Sequence, residues 1–436
     1  MKRRTFLALC GTVGIAPFLL DACQSTTTSA TSANPQVSPS QTVSSPSPTP
    51  VPKPTAADWS TLAHKLQGTL VRPGDTQYTT ALQLFDPQFD IIKPMAVAYC
   101  ASAADVQNCL AFVRQFQLPV APRAGGHSYA GYSTTNGLVL DVTRMNTVAV
   151  DTGAATATIG AGARLIDVYS ELSSQGVIIP AGSCPTVGVA GLTLGGGAGV
   201  IGRKFGLTCD NVQSAQVVIP DGRVLTCDAN TNADLFWAIR GGGGGNFGVV
   251  TSFTFQTHPL AGLSLFTISW PWSSAAQVVD AWQNWAPTAP DEIWSNCLLD
   301  APADKTADPI VQINGAYVGS LDALNSLLAQ LNAQISAAPL SNSVWSDSVL
   351  NSMLYEAGCY NQTVAACHLP TQNPAGQVAR HTGGAKSDFF TSKLSQQGIA
   401  ALIDAINQRH ASSTFGEGGF GMDAYGGAIN RVAADA

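Results

Sequence analysis

Apolar positions alternate with polar ones in short stretches, and the period of the alternation changes several times along the chain. Trp59, Leu62 and Leu66 recur at helical spacing, and Leu110, Phe112, Val113 and Phe116 predict a second helix that starts near Ser102. Ahead of that helix the run from Pro94 to Cys100 reads as a short strand. After it come two buried-looking strands, Pro119-Val-Ala-Pro and Gly137-Leu-Val-Leu-Asp-Val, on either side of a glycine loop. The alternation of Ala155-Thr-Ala-Thr-Ile-Gly predicts another strand, Arg164 to Leu172 a helix, and Val212 to Ile219 and Val249 to Phe255 two more strands. Asp221-Gly222 between two β-branched runs marks a hairpin. Residues 90–260 therefore read as one glycine-dense α+β domain. From 262 the texture changes: tryptophans appear at 270, 272, 282, 285 and 294, and a second domain is expected over 262–436. No internal repeat is found.

Composition narrows the classes. The 436 residues are 45% hydrophobic and 11% charged, which suits a packed or exported globular protein. The net charge of −7, with basic residues scattered beyond Lys2, Arg3 and Arg4, argues against nucleic acid as a partner. None of the ten cysteines forms a C-x-x-C pair, so no zinc site is expected. Cys359 and Cys367 are spaced to close a small loop, and most of the others read as small buried hydrophobes.

Residues 1–23 combine a basic start with an apolar run too short to span a bilayer comfortably. Arg3-Arg4 followed by Thr5, Phe6 and Leu7 resembles a twin-arginine export signal, against the alternative of an ordinary unfolded-chain signal. Leu20-Asp21-Ala22-Cys23 resembles a lipobox with Cys23 as the lipidated residue, although Asp21 is unusual there. Residues 24–55, almost all Ser, Thr, Pro, Ala, Gln, Asn and Val, form a mobile spacer. The expected location is outside the cytoplasm, as a cell-envelope lipoprotein or as an extracellular or periplasmic protein.

Four motifs carry the chemistry. The first is Arg123, Ala124, Gly125, Gly126, His127, Ser128 and Tyr129, a glycine loop after a strand whose amides can converge on an anion. The second runs from Ala181 to Gly199 and includes Cys184, Gly188, Gly191, Gly195, Gly196 and Gly197. So many glycines cost conformational entropy and imply close backbone approach to something. Cys184 is either a buried hydrophobe or a thiolate nucleophile. The third leads from Gly206 through Asp210, Asn211 and Val212 into a strand, and the fourth places five consecutive glycines ahead of Gly248, Val249 and Val250. Neither a P-loop nor a Rossmann loop is present. Taken singly, each has a bland alternative: a turn histidine, a glycine loop without a ligand.

In this order the four motifs resemble the FAD-linked oxidases with the vanillyl-alcohol-oxidase type of flavin domain, closest to the bacterial members of the berberine bridge enzyme-like branch. The resemblance implies an α+β fold: a two-subdomain PCMH-type FAD-binding domain followed by an α+β substrate domain on an antiparallel sheet. It implies FAD bonded to His127 through its ring methyl and to Cys184 at ring position six, with the residues of these four motifs lining the cofactor. Two links raise the flavin potential and fix its ring, leaving the pocket open to large substrates.

The expected activity is oxidation of an alcohol or a sugar hydroxyl by hydride transfer, with oxygen as acceptor. Alternatives are an oxygen-resistant dehydrogenase, a ring-closing oxidase of secondary metabolism, or a tethered protein that kept the fold and lost catalysis. The segments Gly383–Phe390 and Gly418–Arg431 resemble substrate-domain strands of the family. The resemblance also implies a further returning piece, so a chain stopping at Ala436 reads as truncated. Tyr425 and Asn430 are the candidates for a base, expected on opposite faces of one strand, with a structural role for both the simpler reading.

Overall fold

A threonine opens the first helix of the described residues in the manner the sequence favours. Thr55 accepts from the Asp58 amide at 3.3 Å while the Asp58 carboxylate accepts from the Thr55 amide at 2.7 Å, and the helix Ala56–Lys65 buries Trp59 and Leu62. The computed structural model describes residues 52–433, so the export signal, the Cys23 lipidation site and nearly all of the spacer lie outside the described residues.

Four short strands come first: β1 (Thr69–Val71), β2 (Ala96–Tyr99), β3 (Val120–Arg123) and β4 (Leu138–Asp141), in the order β1-β2-β4-β3. The β2–β4 and β3–β4 pairs are parallel, and the helix Ala103–Phe116, capped by Ser102, makes the crossover from β2 to β3. Ala96-Val97-Ala98 and Leu138-Val139-Leu140 are wholly buried, which is why these runs are apolar at every position and not at alternate ones.

The next layer holds β5 (Val148–Asp151), β6 (Thr156–Gly160), β8 (Val212–Val218), β9 (Val224–Asp228) and β10 (Val249–Gln256) in an antiparallel sheet of order β5-β6-β10-β8-β9. Between them β7 (Val177–Ile178) pairs with β11 (His258–Pro259). The β8–β9 hairpin turns at Asp221-Gly222 as expected, with Gly222 at φ +94°. The segment read as glycine loop contains one element that was not anticipated, the helix Val189–Leu194.

From residue 262 a third sheet follows: β12 (Gly262–Trp270), β13 (Ile293–Ala301), β14 (Ile310–Tyr317), β15 (Ser341–Ser348) and β16 (Gly418–Asp423), antiparallel in the order β15-β12-β14-β13-β16. Strand alternation gives it two faces. On one face Phe266, Ile268, Cys297, Leu299, Val311 and Ile313 form a core with the helices Ala275–Trp285, Leu321–Asn332 and Gln396–Ala411. On the other, Leu263, Leu265 and Ala316 are buried in the core of the preceding sheets.

Two expectations fail here. Gly383–Phe390 forms no strand and is largely exposed. Tyr425 and Asn430 do not share a strand: β16 ends at Asp423, Gly426 and Gly427 turn the chain at φ +121° and +59°, and Asn430 falls in the short helix Ala428–Arg431. Cys359 and Cys367 do form a disulfide, and Cys100, Cys109, Cys209, Cys227 and Cys297 are buried.

Candidate flavin site and substrate face

The His127 loop grows from the end of β3. Arg123 does not offer its guanidinium to a ligand: it is buried, bonded through Nε to Asp141 Oδ2 at 2.6 Å and through Nη2 to the Ala81 carbonyl at 2.8 Å. Past Ala124, a Cβ on Gly125 would run into the backbone of Gly188, and one on Gly188 would run into Gly125. The first two motifs therefore meet backbone to backbone, which only glycine permits. Gly126, at φ +72°, accepts from the Phe85 amide at 3.1 Å. The His127 ring stacks on Phe85 with centroids 4.0 Å apart, and its Nε2 lies 2.8 Å from Thr186 Oγ1. Burial, with the charge of Arg164 adding to it, pushes the His127 pKa down to about 4, so the imidazole is neutral at neutral pH. Ser128 accepts from the Tyr132 amide at 3.1 Å, and Tyr129 is exposed.

Cys184 stands on a loop fixed from behind. Ile166 and Leu165, at the start of the helix Leu165–Ser174, donate their amides to the carbonyls of Pro185 (3.1 Å) and Val187 (3.0 Å). The Cys184 side chain itself is exposed, yet the dense protein around it raises the thiol pKa above its ordinary value. Exposure governs access to the sulfur; crowding governs its ionisation. The resting group is an accessible protonated thiol.

Glycines make the adjoining surface. Gly191 and Gly195 are exposed on and after the helix Val189–Leu194, and a Cβ on Gly191 would meet nothing within 4 Å. Gly196 and Gly197 follow at φ +109° and +80°, with Thr208 packed directly behind Gly197. The Gly243 amide donates to the Leu194 carbonyl at 2.8 Å, joining the five-glycine run to the end of that helix. This surface fits a dinucleotide flavin: side-chain-free backbone for a pyrophosphate, then a neutral imidazole and an accessible thiol for a ring.

Other residues expected at the flavin bond to the protein around the glycine surface. Asp210 accepts from the Leu207 amide at 2.9 Å; Asn211 donates to the carbonyls of Phe205 and Leu207, both at 2.9 Å, and its Oδ1 lies 2.7 Å from His258 Nε2. Val212, Val249 and Val250 are buried in β8 and β10, and Gly248, at φ +145°, packs on the Val218 carbonyl. The side chains of Asp210, Asn211, Val212, Val249 and Val250 thus serve the loop and the sheet.

The sequence reading missed the open face of the third sheet. Strand register places Ser343, Thr267, Asn314, Asn296 and Asp423 in one row across all five strands. Thr267 Oγ1 donates to Asn314 Oδ1 at 2.6 Å, and Asn314 Nδ2 donates to Asn296 Oδ1 at 3.1 Å. The row lies on the same face as Leu265 and Ala316, next to Trp294 and Trp345, which pack against the flavin-region core. The Asp423 side chain is exposed, yet the dense protein around it raises its carboxyl above the ordinary range. Beyond it, the Tyr425 carbonyl accepts from Arg203 Nη1 at 2.9 Å, which ties the end of β16 to the short helix Gly202–Phe205 that follows the glycine surface. The Tyr425 ring is exposed with its centroid 6.0 Å from that of Phe389, and Asn430 is exposed. The signal for Asp423 was present as the strict alternation of β13, where Trp294, Asn296 and Leu298 face one way and Ile293, Cys297 and Leu299 the other.

The FAD binding domain family matches residues 94–228, which hold the His127 and Cys184 loops and the glycine surface up to Asn211. A Bacillus subtilis protein, the uncharacterized FAD-linked oxidoreductase YgaK, is 32% identical over 85% of this chain and 77% of its own length. Among solved structures, BBE-like 1 of Physcomitrella patens is 31% identical with a TM-score of 0.75, covering 86% of this chain and 79% of that one. The xylooligosaccharide oxidase of Myceliophthora thermophila, in complex with xylobiose, is 26% identical with a TM-score of 0.72, covering 86% of this chain and 78% of that one. With the PCMH-type fold and the glycine surface between His127 and Cys184, these likenesses show that the chain belongs to the FAD-linked oxidoreductases of the berberine bridge enzyme-like family.

Proposed function

We propose that this enzyme oxidises a hydroxyl-bearing small molecule, a sugar or another alcohol, with FAD held covalently through both His127 and Cys184 and with oxygen as the final acceptor. The observation that carries the reading is the polar row from Ser343 to Asp423 on the sheet face turned toward the flavin region. A hydroxyl and two side-chain amides in register offer alternating donors and acceptors, the chemistry that binds vicinal hydroxyls. Trp294 and Trp345 beside the row give apolar ground for a ring face. The xylobiose complex of a structural relative supports a carbohydrate among the alcohols to be tried first.

FAD supplies the hydride acceptor. Asp423 is the base: its carboxylate takes the hydroxyl proton as the carbon gives up its hydride, and the protein crowded around this exposed side chain raises its pKa and makes it a stronger base than an ordinary aspartate. Asn314 and Asn296 hold the neighbouring hydroxyls, which orients the reacting carbon. Each covalent link would replace one side-chain N–H or S–H and one flavin C–H, and the two electrons and two protons so released would pass to oxygen when the ring is reoxidised. Neutral His127 has the lone pair that such a bond requires.

The test is a panel of mono- and oligosaccharides and primary alcohols with peroxide detection, run beside acid precipitation of the purified protein. A precipitate that stays yellow and peroxide on a sugar are the expected results. A colourless precipitate overturns the covalent attachment, and turnover with a dye but no peroxide overturns the oxygen acceptor.

A further inference from the structure

The segment from Cys359 to Arg380 leaves the third sheet's side of the molecule and crosses the flavin region. It begins at the end of the helix Val349–Glu356, and its first turn is closed by the Cys359–Cys367 disulfide. Those two cysteines pack with Leu354 against Ile166 of the helix Leu165–Ser174. The next residue, His368, is buried. Its Nδ1 lies 2.8 Å from the Val364 carbonyl and its Nε2 3.1 Å from Asp167 Oδ1 on that same helix. Both ring nitrogens face acceptors, so the ring donates from both sides.

The far end of the segment is pinned as firmly. Arg380 donates through Nη1 and Nη2 to the two oxygens of Asp90 at 2.9 and 2.5 Å, and through Nε to the Leu84 carbonyl at 2.7 Å. This is the fork geometry in which arginine binds strongly and directionally.

Each pin sits one step from an attachment residue. The helix held by His368 gives the amides of Leu165 and Ile166 to Val187 and Pro185, the backbone that carries Cys184. The peptide held by Arg380 continues into Phe85, whose amide donates to Gly126 and whose ring stacks on His127. One segment from the substrate half of the chain thus reaches both flavin-attachment loops by separate routes.

We propose that residues 359–380 are a strap that positions the two attachment residues, with Arg380 acting on His127 through Leu84 and Phe85, and His368 acting on Cys184 through Asp167 and the helix it begins. The proposal rests on the reading that both side chains bond to the flavin. Arg380 and His368 are positioning residues; neither touches the attachment atoms. A strap that only stiffened the fold would affect both links together, whereas two separate routes affect them one at a time.

The experiment is peptide mapping by mass spectrometry of the purified full chain carrying Arg380→Ala or His368→Ala, with thermal denaturation alongside. In Arg380→Ala the flavin share on the His127 peptide falls several-fold while the Cys184 share stays at the wild-type level; in His368→Ala the pattern reverses. A parallel fall in both shares, or no change in either variant, overturns the strap. Should an alanine variant fail to fold, Arg380→Gln and His368→Gln take its place with the same expectation. A wild-type protein with flavin on one side chain alone overturns the two-link reading and leaves the strap to be judged on the unlinked group. That readout is the alkylation rate of Cys184 in His368→Ala, or the titration of His127 by NMR in Arg380→Ala. A change from wild type there supports the strap, and an unchanged value overturns it.

Discussion

The Nε2 of His127 lies 2.8 Å from the Oγ1 of Thr186, a side chain that is 1% exposed and sits two residues beyond Cys184. The two motifs proposed to attach the flavin are therefore joined by a side-chain hydrogen bond as well as by the Gly125–Gly188 contact. The hydroxyl engages one ring nitrogen and leaves Nδ1 as the other. Thr186→Val keeps the shape and removes the partner, and a buried hydrogen bond of this kind contributes about 1 kcal/mol. The expected outcome is a lower flavin share on His127, an unchanged share on Cys184, and a modest drop in thermal midpoint. Peptide mapping and calorimetry check it; a wild-type His127 share would show that the threonine does not orient the ring.

A half-buried histidine, His127, and a buried one, His368, titrate in opposite senses. For His127 the folded pKa is lowered to about 4, so on acidification the unfolded chain takes up a proton that the folded one does not. Stability is lost as pH falls below about 6.5, the ordinary histidine value, down to that pKa. For His368 the hydrogen bond to Asp167 raises the folded pKa, so its contribution is complete below the ordinary value and is lost as pH rises through the raised one. Flavin-free protein should show a thermal midpoint that declines on both sides. His127→Asn flattens the acid limb and His368→Gln the alkaline limb. An acid limb unchanged by His127→Asn would place the titration elsewhere.

The flavin half was the more legible in sequence because its constraints are local. Buried parallel strands show as unbroken apolar runs, and a backbone collision such as Gly125 against Gly188 can be avoided only by glycine, so the motif letters are the geometry. Side chains inside those motifs were harder to read. Arg123, Asp210 and Asn211 stand beside the flavin residues in the chain yet bond to Asp141, Leu207 and His258, partners that proximity in sequence does not single out. The substrate half was least legible. Its polar row joins residues up to 156 positions apart, since Thr267 and Asp423 share it only through the pairing of β12, β14, β13 and β16. Tyr425 and Asn430 were the base candidates of the final segment in sequence, whereas the carboxylate proposed as base lies two residues before Tyr425.

Asp423→Asn removes the proposed base while keeping shape and hydrogen-bonding capacity. General-base catalysis contributes about 10²–10⁴-fold, so kcat should fall by that order with covalent flavin intact, because His127 and Cys184 are untouched. In the wild type, kcat/KM should rise with pH through a limb set above the ordinary aspartate range, since desolvation by the protein around it raises this carboxyl. The variant should lose that limb. Steady-state rates on the best sugar or alcohol across pH decide the matter, and a variant that keeps both rate and limb would move the base to another residue.

The accessible thiol of Cys184 makes a kinetic prediction about how the second link forms. The thiolate is the nucleophile, and crowding raises the thiol pKa, so only a small fraction is ionised at neutral pH. Below that pKa each unit of pH raises the thiolate fraction about tenfold. In His127→Ala, where Cys184 is the sole attachment residue, flavin-free protein mixed with FAD in air should form the cysteinyl link about tenfold faster at each successive unit between pH 7 and the thiol pKa. Thr186 and Gly125 remain in place in that variant, so the loop that carries the sulfur keeps its support. Removing oxygen should leave the linked flavin reduced at every pH, because the oxidised ring would take the two electrons of each bond formed and oxygen is needed only to reoxidise it. Acid-stable absorbance followed over time measures the rate. A rate independent of pH would mean that ionisation of Cys184 does not limit attachment, and recovery of oxidised, acid-stable flavin without air would mean that oxygen is not the oxidant.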